Sequence, residues 1–214
     1  NETTGNLRVR QTTLTSAWAS GGNLNTARSN LTGAGTQTAA LAFAGQTTAP
    51  AVSALTEQYD GSSWTEVNDL NTARQNLAGT GTQTSALAFG GDIPPATNAT
   101  ELWNGTNWTA VNTLNTARES LAGSGTDNTS ALAIGGRTAP GSSTAVTESW
   151  NGTNWTEVND LNTARRLLAG AGTATDALAF GGFTPNTAAT ESWNGTSWFE
   201  VNDLNTARRP LSGA

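Results

Sequence analysis

An all-β fold assembled from one repeated antiparallel unit is predicted by three observations. Leu-Asn-Thr-Ala-Arg occurs five times, at Leu24–Arg28, Leu70–Arg74, Leu114–Arg118, Leu161–Arg165 and Leu204–Arg208, at intervals of 46, 44, 47 and 43 residues. Such a period marks a stack or ring of one supersecondary unit. Gly-Gly and Asn-Gly pairs punctuate the chain at recurring places, and long helical periodicity is missing. Thr, Ala, Gly and Asn dominate, and eight Trp recur with the repeat.

The unit after Arg74 reads as four strands. Leu77–Thr82 has Gly at alternate positions, which suits a crowded place where backbones approach closely. Gln83–Ser85 is a short turn, and Ala86–Phe89 is an apolar run stopped by Gly90-Gly91, hence a buried strand. A polar, Pro-containing insert follows, Asp92–Ala99. Thr100–Trp103 is the third strand, Asn104-Gly105 begins a tight turn, and Trp108–Val111 is the fourth strand. A lone four-stranded sheet cannot bury both faces, so neighbouring units must cover them. Trp103/Trp108, Trp150/Trp155, Trp193/Trp198 and Tyr59/Trp64 are placed to do so.

Four short strands per unit of this length are the signature of a β-propeller blade. The expected blades are 28–70, 74–114, 118–161 and 165–204, with a fifth composed of 1–24 and 208–214. Trp18 supports that composite blade, because it precedes Asn25 by the same seven residues that separate Trp64 from Asn71. No Ala-Leu-Ala-Phe-Gly-Gly run exists in residues 1–23, so Leu7–Arg10 must serve there as a strand. The expectation is one domain, 1–214, closing as a five-bladed ring; the alternative is a fragment of a longer array.

The pattern resembles kelch repeats over roughly residues 24–208. The matching features are an apolar run closed by Gly90-Gly91, Gly135-Gly136 or Gly181-Gly182, an aromatic in the third strand, and a following Trp (Trp64, Trp108, Trp155, Trp198). An Arg also stands before each first strand. These Gly and Trp positions are the expected structural residues. Two features depart from kelch: the aromatic-to-Trp step is one residue shorter, and the first unit has Ala44-Gly45. The resemblance implies a propeller that binds partners through loops on one face. Copper chemistry of the galactose-oxidase kind needs His and Cys, and the chain has neither.

Composition narrows the function. The net charge is −6, and all ten basic residues are Arg. That balance argues against a nucleic-acid binder, which needs a basic stripe. Without Cys or His there is no disulfide, no thiolate or imidazole metal site, and no Ser-His-Asp or Cys-His catalysis. Membrane insertion is not expected, since no apolar run approaches the roughly 20 residues a span requires. The acidic residues Glu66/Asp69, Glu157/Asp160 and Glu200/Asp203 repeat in polar linkers, which fits a solvated surface better than a glycosidase pair. The expectation is no enzyme and no cofactor.

Length variation concentrates in one connection. The insert after the second strand is ten residues (Gln46–Leu55), eight (Asp92–Ala99), ten (Arg137–Val146) and seven (Phe183–Ala189). Strand alternation places this loop and the Asn-Thr-Ala-Arg segment on the same rim. Variable loops on a rigid scaffold are where recognition usually lives, though unconstrained drift is an equal reading. On the recognition reading the candidate ligand contacts are Arg74, Arg118, Arg165, Asn71, Asn115 and Asn162 from the repeated segment, with Asp92, Arg137 and Phe183 from the inserts. For the repeated arginines the favoured reading is architecture, each tied to a Glu (Glu57, Glu101, Glu148, Glu191) or to carbonyls across blades. The expected partner is a glycan or a protein. The alternative function is a purely structural decoration module of a larger assembly. The Thr/Asn/Gly-rich, Lys-free style resembles virion surface proteins, so an extracellular or virion surface location is the favoured expectation.

Overall fold

The computed structural model describes residues 21–48, 51–138 and 141–209. Residues 1–20 and 210–214 of the expected closing blade, with Trp18 and Leu7–Arg10, lie outside them. Among the described residues there is no helix. The first sheet is β1 (Thr32–Thr36), β2 (Ala39–Phe43), β3 (Thr56–Tyr59) and β4 (Trp64–Val67). The second is β5 (Ala78–Thr82), β6 (Ser85–Phe89), β7 (Thr100–Trp103) and β8 (Trp108–Val111). The third begins with β9 (Ala122–Asp127) and β10 (Ser130–Ile134), carries a two-stranded ribbon β11 (Arg137–Thr138) and β12 (Ser142–Ser143) in its insert, and ends with β13 (Thr147–Trp150) and β14 (Trp155–Val158). The fourth is β15 (Ala169–Gly172), β16 (Ala177–Phe180), β17 (Thr190–Trp193) and β18 (Trp198–Val201). Every four-stranded sheet is antiparallel with its strands in chain order. This architecture is all-β and compatible with a β-propeller.

The expected punctuation sets these strands. Gly90 and Gly91 both have positive φ (65° and 108°) and end β6, as Gly135/Gly136 and Gly181/Gly182 end β10 and β16. In the first sheet Ala44 takes the same left-handed φ of 63°, a conformation that costs an L-residue with a Cβ. The four-residue connection from Trp103 to Trp108 is held by Asn104, whose Oδ1 accepts the N–H groups of Thr106 (2.9 Å) and Asn107 (2.9 Å). The extra residue near Asp127-Asn128 is absorbed as a register shift beside Ser130.

The core lies between sheets. Each sheet presents one face built from the Leu and Phe or Ile of its second strand and one built from Ala and paired aromatics. Leu41 and Phe43 of the first sheet pack on Ala86, Ala88, Trp103 and Trp108 of the second. Leu87 and Phe89 pack in the same way on Ala131, Ala133, Trp150 and Trp155, and Leu132 and Ile134 on Ala177, Ala179, Trp193 and Trp198. Phe43 and Trp108 stand 4.8 Å apart, ring to ring, and Phe89 and Trp155 stand 4.9 Å apart. The indole N–H groups of Trp108, Trp155 and Trp198 donate to Thr56, Thr100 and Thr147 of the preceding sheet at 3.0–3.2 Å. Burying one such ring stabilises the interface by about 4–6 kcal/mol as an upper bound.

The first strands β1, β5, β9 and β15 lie side by side in that order. Small residues permit this approach: a Cβ on Gly79 would stand 2.5 Å from Phe43 Cζ. These strands border a cavity of about 630 Å³, lined in part by Gly33, Gly79, Thr80, Gly123 and Ser124. At one mouth, Asn30, Asn76, Ser120 and Leu167 all adopt φ of 53–54°. Their backbones are linked, Asn76 N–H to the Asn30 carbonyl (3.0 Å), Ser120 to Asn76 (2.8 Å) and Leu167 to Ser120 (2.9 Å).

Candidate functional site

The Leu-Asn-Thr-Ala-Arg segments lie against the inserts, on the rim expected from strand alternation. Leu70 N–H donates to the Ala54 carbonyl (3.1 Å), Arg74 N–H to Ser53 (3.2 Å), and Gly45 N–H to the Arg74 carbonyl (2.9 Å). The same set recurs at Leu114–Arg118 against Thr97, Asn98 and Gly91, and at Leu161–Arg165 against Thr144, Ala145 and Gly136.

The backbone of each segment belongs to one sheet while its side chains belong to the next. The Arg74 guanidinium meets Glu101 of the second sheet at 2.7 Å, and its other terminal nitrogen donates to the Ala88 carbonyl. Arg118 meets Glu148 at 3.1 Å and donates to the carbonyls of Val146 (2.7 Å) and Ala133 (3.2 Å). Arg165 meets Glu191 at 2.7 Å, and Arg28 meets Glu57 at 2.9 Å. All four arginine side chains are fully buried. Burial pushes Arg118 down to about 10 against the pull of Glu148, and it lowers Arg74 and Arg165 as well. Each buried guanidinium leaves its Nε without a hydrogen-bond partner among the described residues.

Asn71, Asn115 and Asn162 complete the joint. The Asn71 N–H and amide both donate to Glu101 (2.7 and 2.8 Å), and the amide also reaches the Trp108 carbonyl. Asn115 and Asn162 repeat these contacts on Glu148 and Glu191. Of the two readings of the repeated residues, the geometry of the arginines matches the joint between sheets; Asn71, Asn115 and Asn162 stay exposed while their amides donate to the same glutamates. Gly90, Gly91, Gly135, Gly136, Gly181 and Gly182 sit at strand ends, and Trp108, Trp155 and Trp198 in the inter-sheet cores. Trp64 is half-buried, donating instead to the Gly22 carbonyl (3.1 Å).

The insert residues Asp92, Arg137 and Phe183 occupy one equivalent place, and each is paired by an isolated bridge. The bridges are Gln75 with Asp92, Glu119 with Arg137 and Arg166 with Phe183; Ser29 with Gln46 is the first-sheet copy. The frame is constant and the side chains it presents are not. Arg137 donates to Glu119 through Nε (2.8 Å) and forms a close ion pair with it. Asn76 also donates to Glu119 (3.2 Å), and Asn30 to Gln75 (3.3 Å). Burial, helped by Glu119, raises the Asp92 carboxyl above its usual range. At the fourth position the guanidiniums of Arg166 and Arg209 stand 4.7 and 3.9 Å from the Phe183 ring centroid.

Sequence reasoning missed the second half of each pair, Ser29, Gln75, Glu119 and Arg166, and it missed Arg209 over the Phe183 ring. The signal was present, because these residues follow the invariant Arg and are where the repeat stops being identical. A comparison of the chain with models of protein families finds no match, and none of the curated proteins matches it.

Proposed function

We propose that the four sheets are blades of a closed, five-bladed, kelch-like β-propeller, its last blade composed of both chain ends, and that the ring is a non-enzymatic recognition module for a glycan or protein. Two unmatched faces support closure. The first sheet turns Tyr59 and Trp64 away from its neighbour, and both are only half-buried. The fourth sheet leaves Leu178 and Val201 at 42% exposure, while the matching Leu132 is fully buried. One intervening sheet with an Ala/Trp face and a Leu/Phe face would satisfy both. Trp18 stands six residues before Leu24, as Trp64, Trp108, Trp155 and Trp198 stand before their own Leu. Closure assigns Trp18 to Thr190, the next member of the series Thr56, Thr100 and Thr147. Trp18→Ala should therefore lower the Tm as an internal Trp→Ala does; an unchanged Tm refutes the ring.

The observation that carries the recognition reading is the rim itself. One backbone frame repeats in every sheet, and the bridged pairs it displays run from amides through acid and ion pair to arginine and aromatic. Unconstrained surface drift also concentrates in loops; what supports recognition is the chemical range of these pairs on one constant frame. The test is a glycan and protein array, followed by replacement of residues 137–146 with the shorter 183–189 loop. Loss of the captured ligand supports recognition. A fully folded exchange variant that binds unchanged, or a native chain that captures nothing, favours the decoration module, a reading supported by the burial of Arg28, Arg74, Arg118 and Arg165.

A further inference from the structure

We propose that Arg166, Arg209 and Phe183 form an anion site that takes the single carboxylate of a compact sugar acid. The inference rests on reading the rim as a recognition surface, and it names the ligand chemistry. It begins with charge accounting. Among the described residues, Arg28, Arg74, Arg118 and Arg165 are committed to buried glutamates, and Arg137 is committed to Glu119. The described arginines that make no ion pair there are Arg166, Arg208 and Arg209. Two of the three bring their charge to one place, and the third passes beside it by its backbone, its own guanidinium donating to the Thr206 carbonyl (3.4 Å). The guanidiniums of Arg166 and Arg209 lie over the Phe183 ring, and the Arg208 carbonyl accepts from Gly182 next to it (3.1 Å).

Their place over the ring has a chemical consequence. A cation–π contact draws on a guanidinium's charge and does not consume its N–H groups, which match a carboxylate through two parallel hydrogen bonds. Arg166 spends one terminal nitrogen on the Gly141 carbonyl (3.0 Å), which fixes the group and leaves its other nitrogens for a ligand. A pre-ordered arginine loses less side-chain freedom on binding. Ser142 and Thr184, each exposed and each adjacent in sequence to a member of this cluster, supply hydroxyls for a sugar. The charge of the whole chain, −6, with Glu119 and Asp92 further along the same rim, disfavours a long polyanion and favours one isolated carboxylate.

The experiment titrates the full chain with glucuronate, glucose, acetate and a polyuronate by NMR, and repeats the titration with Arg166→Gln/Arg209→Gln. Saturable glucuronate binding is expected, with glucose silent, acetate weaker, and the polyuronate no tighter per residue. The double variant, which changes the half-buried Arg166 and the exposed Arg209 and no ion pair among the described residues, should stay folded and lose at least tenfold in glucuronate affinity. Asp60→Asn, in the turn between β3 and β4, should leave that affinity unchanged. Equal binding by the double variant refutes the site, and so does equal binding of glucose; equal binding of acetate refutes the sugar. An array ligand lost on loop exchange but retained by the double variant refutes this site and leaves the recognition reading standing.

Discussion

Replacing Arg118 with Met tests whether the repeated motif holds neighbouring sheets together. The guanidinium is fully buried, meets Glu148 at 3.1 Å and serves the carbonyls of Val146 and Ala133. Its loss leaves Glu148 with N–H donors from Asn115 and Thr116 but without a counter-charge. Breaking a buried ion pair from one side costs about 3–5 kcal/mol, because the remaining charge is uncompensated. In a chain of 214 residues each kcal/mol moves the Tm by roughly 2–4 °C, so the fall is on the order of 10 °C. The assay is thermal unfolding followed by tryptophan fluorescence, since Trp150 and Trp155 sit in the adjoining core. Adding Glu148→Gln to Arg118→Met should recover more than half of the loss, because no charge is then stranded. A single variant melting within about 2 °C of the parent refutes the reasoning, as does a double variant worse than the single.

Trp108→Ala removes the ring between Phe43 and Trp103 and the bond to Thr56; a loss of about 3–5 kcal/mol in chemical denaturation is expected. Ala44→Gly should act in the opposite direction. It relieves a left-handed Ala at the place where other sheets have Gly, and a gain of roughly 0.5–1 kcal/mol should appear as a higher denaturant midpoint. Asp60 accepts from the N–H groups of Ser62 and Ser63, which hold its carboxyl down at about 2. A carboxyl depressed by folding adds stability above its unfolded value near 3.8, and that stability is lost as pH falls towards 2. NMR titration should give a midpoint near 2, and Asp60→Asn, which copies Asn104, should keep the turn and abolish this titration.

The strands of the second sheet were legible almost to the residue, because their limits are local. Gly90-Gly91 and Asn104-Gly105 stop the chain whatever surrounds them, and Thr100–Trp103 and Trp108–Val111 fall where the pattern put them. The Arg–Glu pairing was legible as one of two readings; the burial that decides between them is a property of the packed sheets. The bridged rim pairs were missed although their register is local: Gln75 and Asp92 continue the β5–β6 ladder past Ala78 and Phe89, but Gly90-Gly91 reads as the end of that pairing. The positive φ of Leu167 was equally hidden, since nothing in a Leu announces a conformation that favours Gly or Asn.

The linked backbones at the cavity mouth carry a consequence for assembly. Hydrogen bonds there run one way, each amide reaching back to the repeat before it, from Leu167 to Ser120 to Asn76 to Asn30. The fifth copy of the motif is followed by Arg209 and then Pro210 at the corresponding position. A residue of that type has no amide hydrogen to donate. Among the described repeats the relay has a direction, since each amide needs the carbonyl of the unit before it, and this discourages a unit borrowed from another molecule from slipping in reversed.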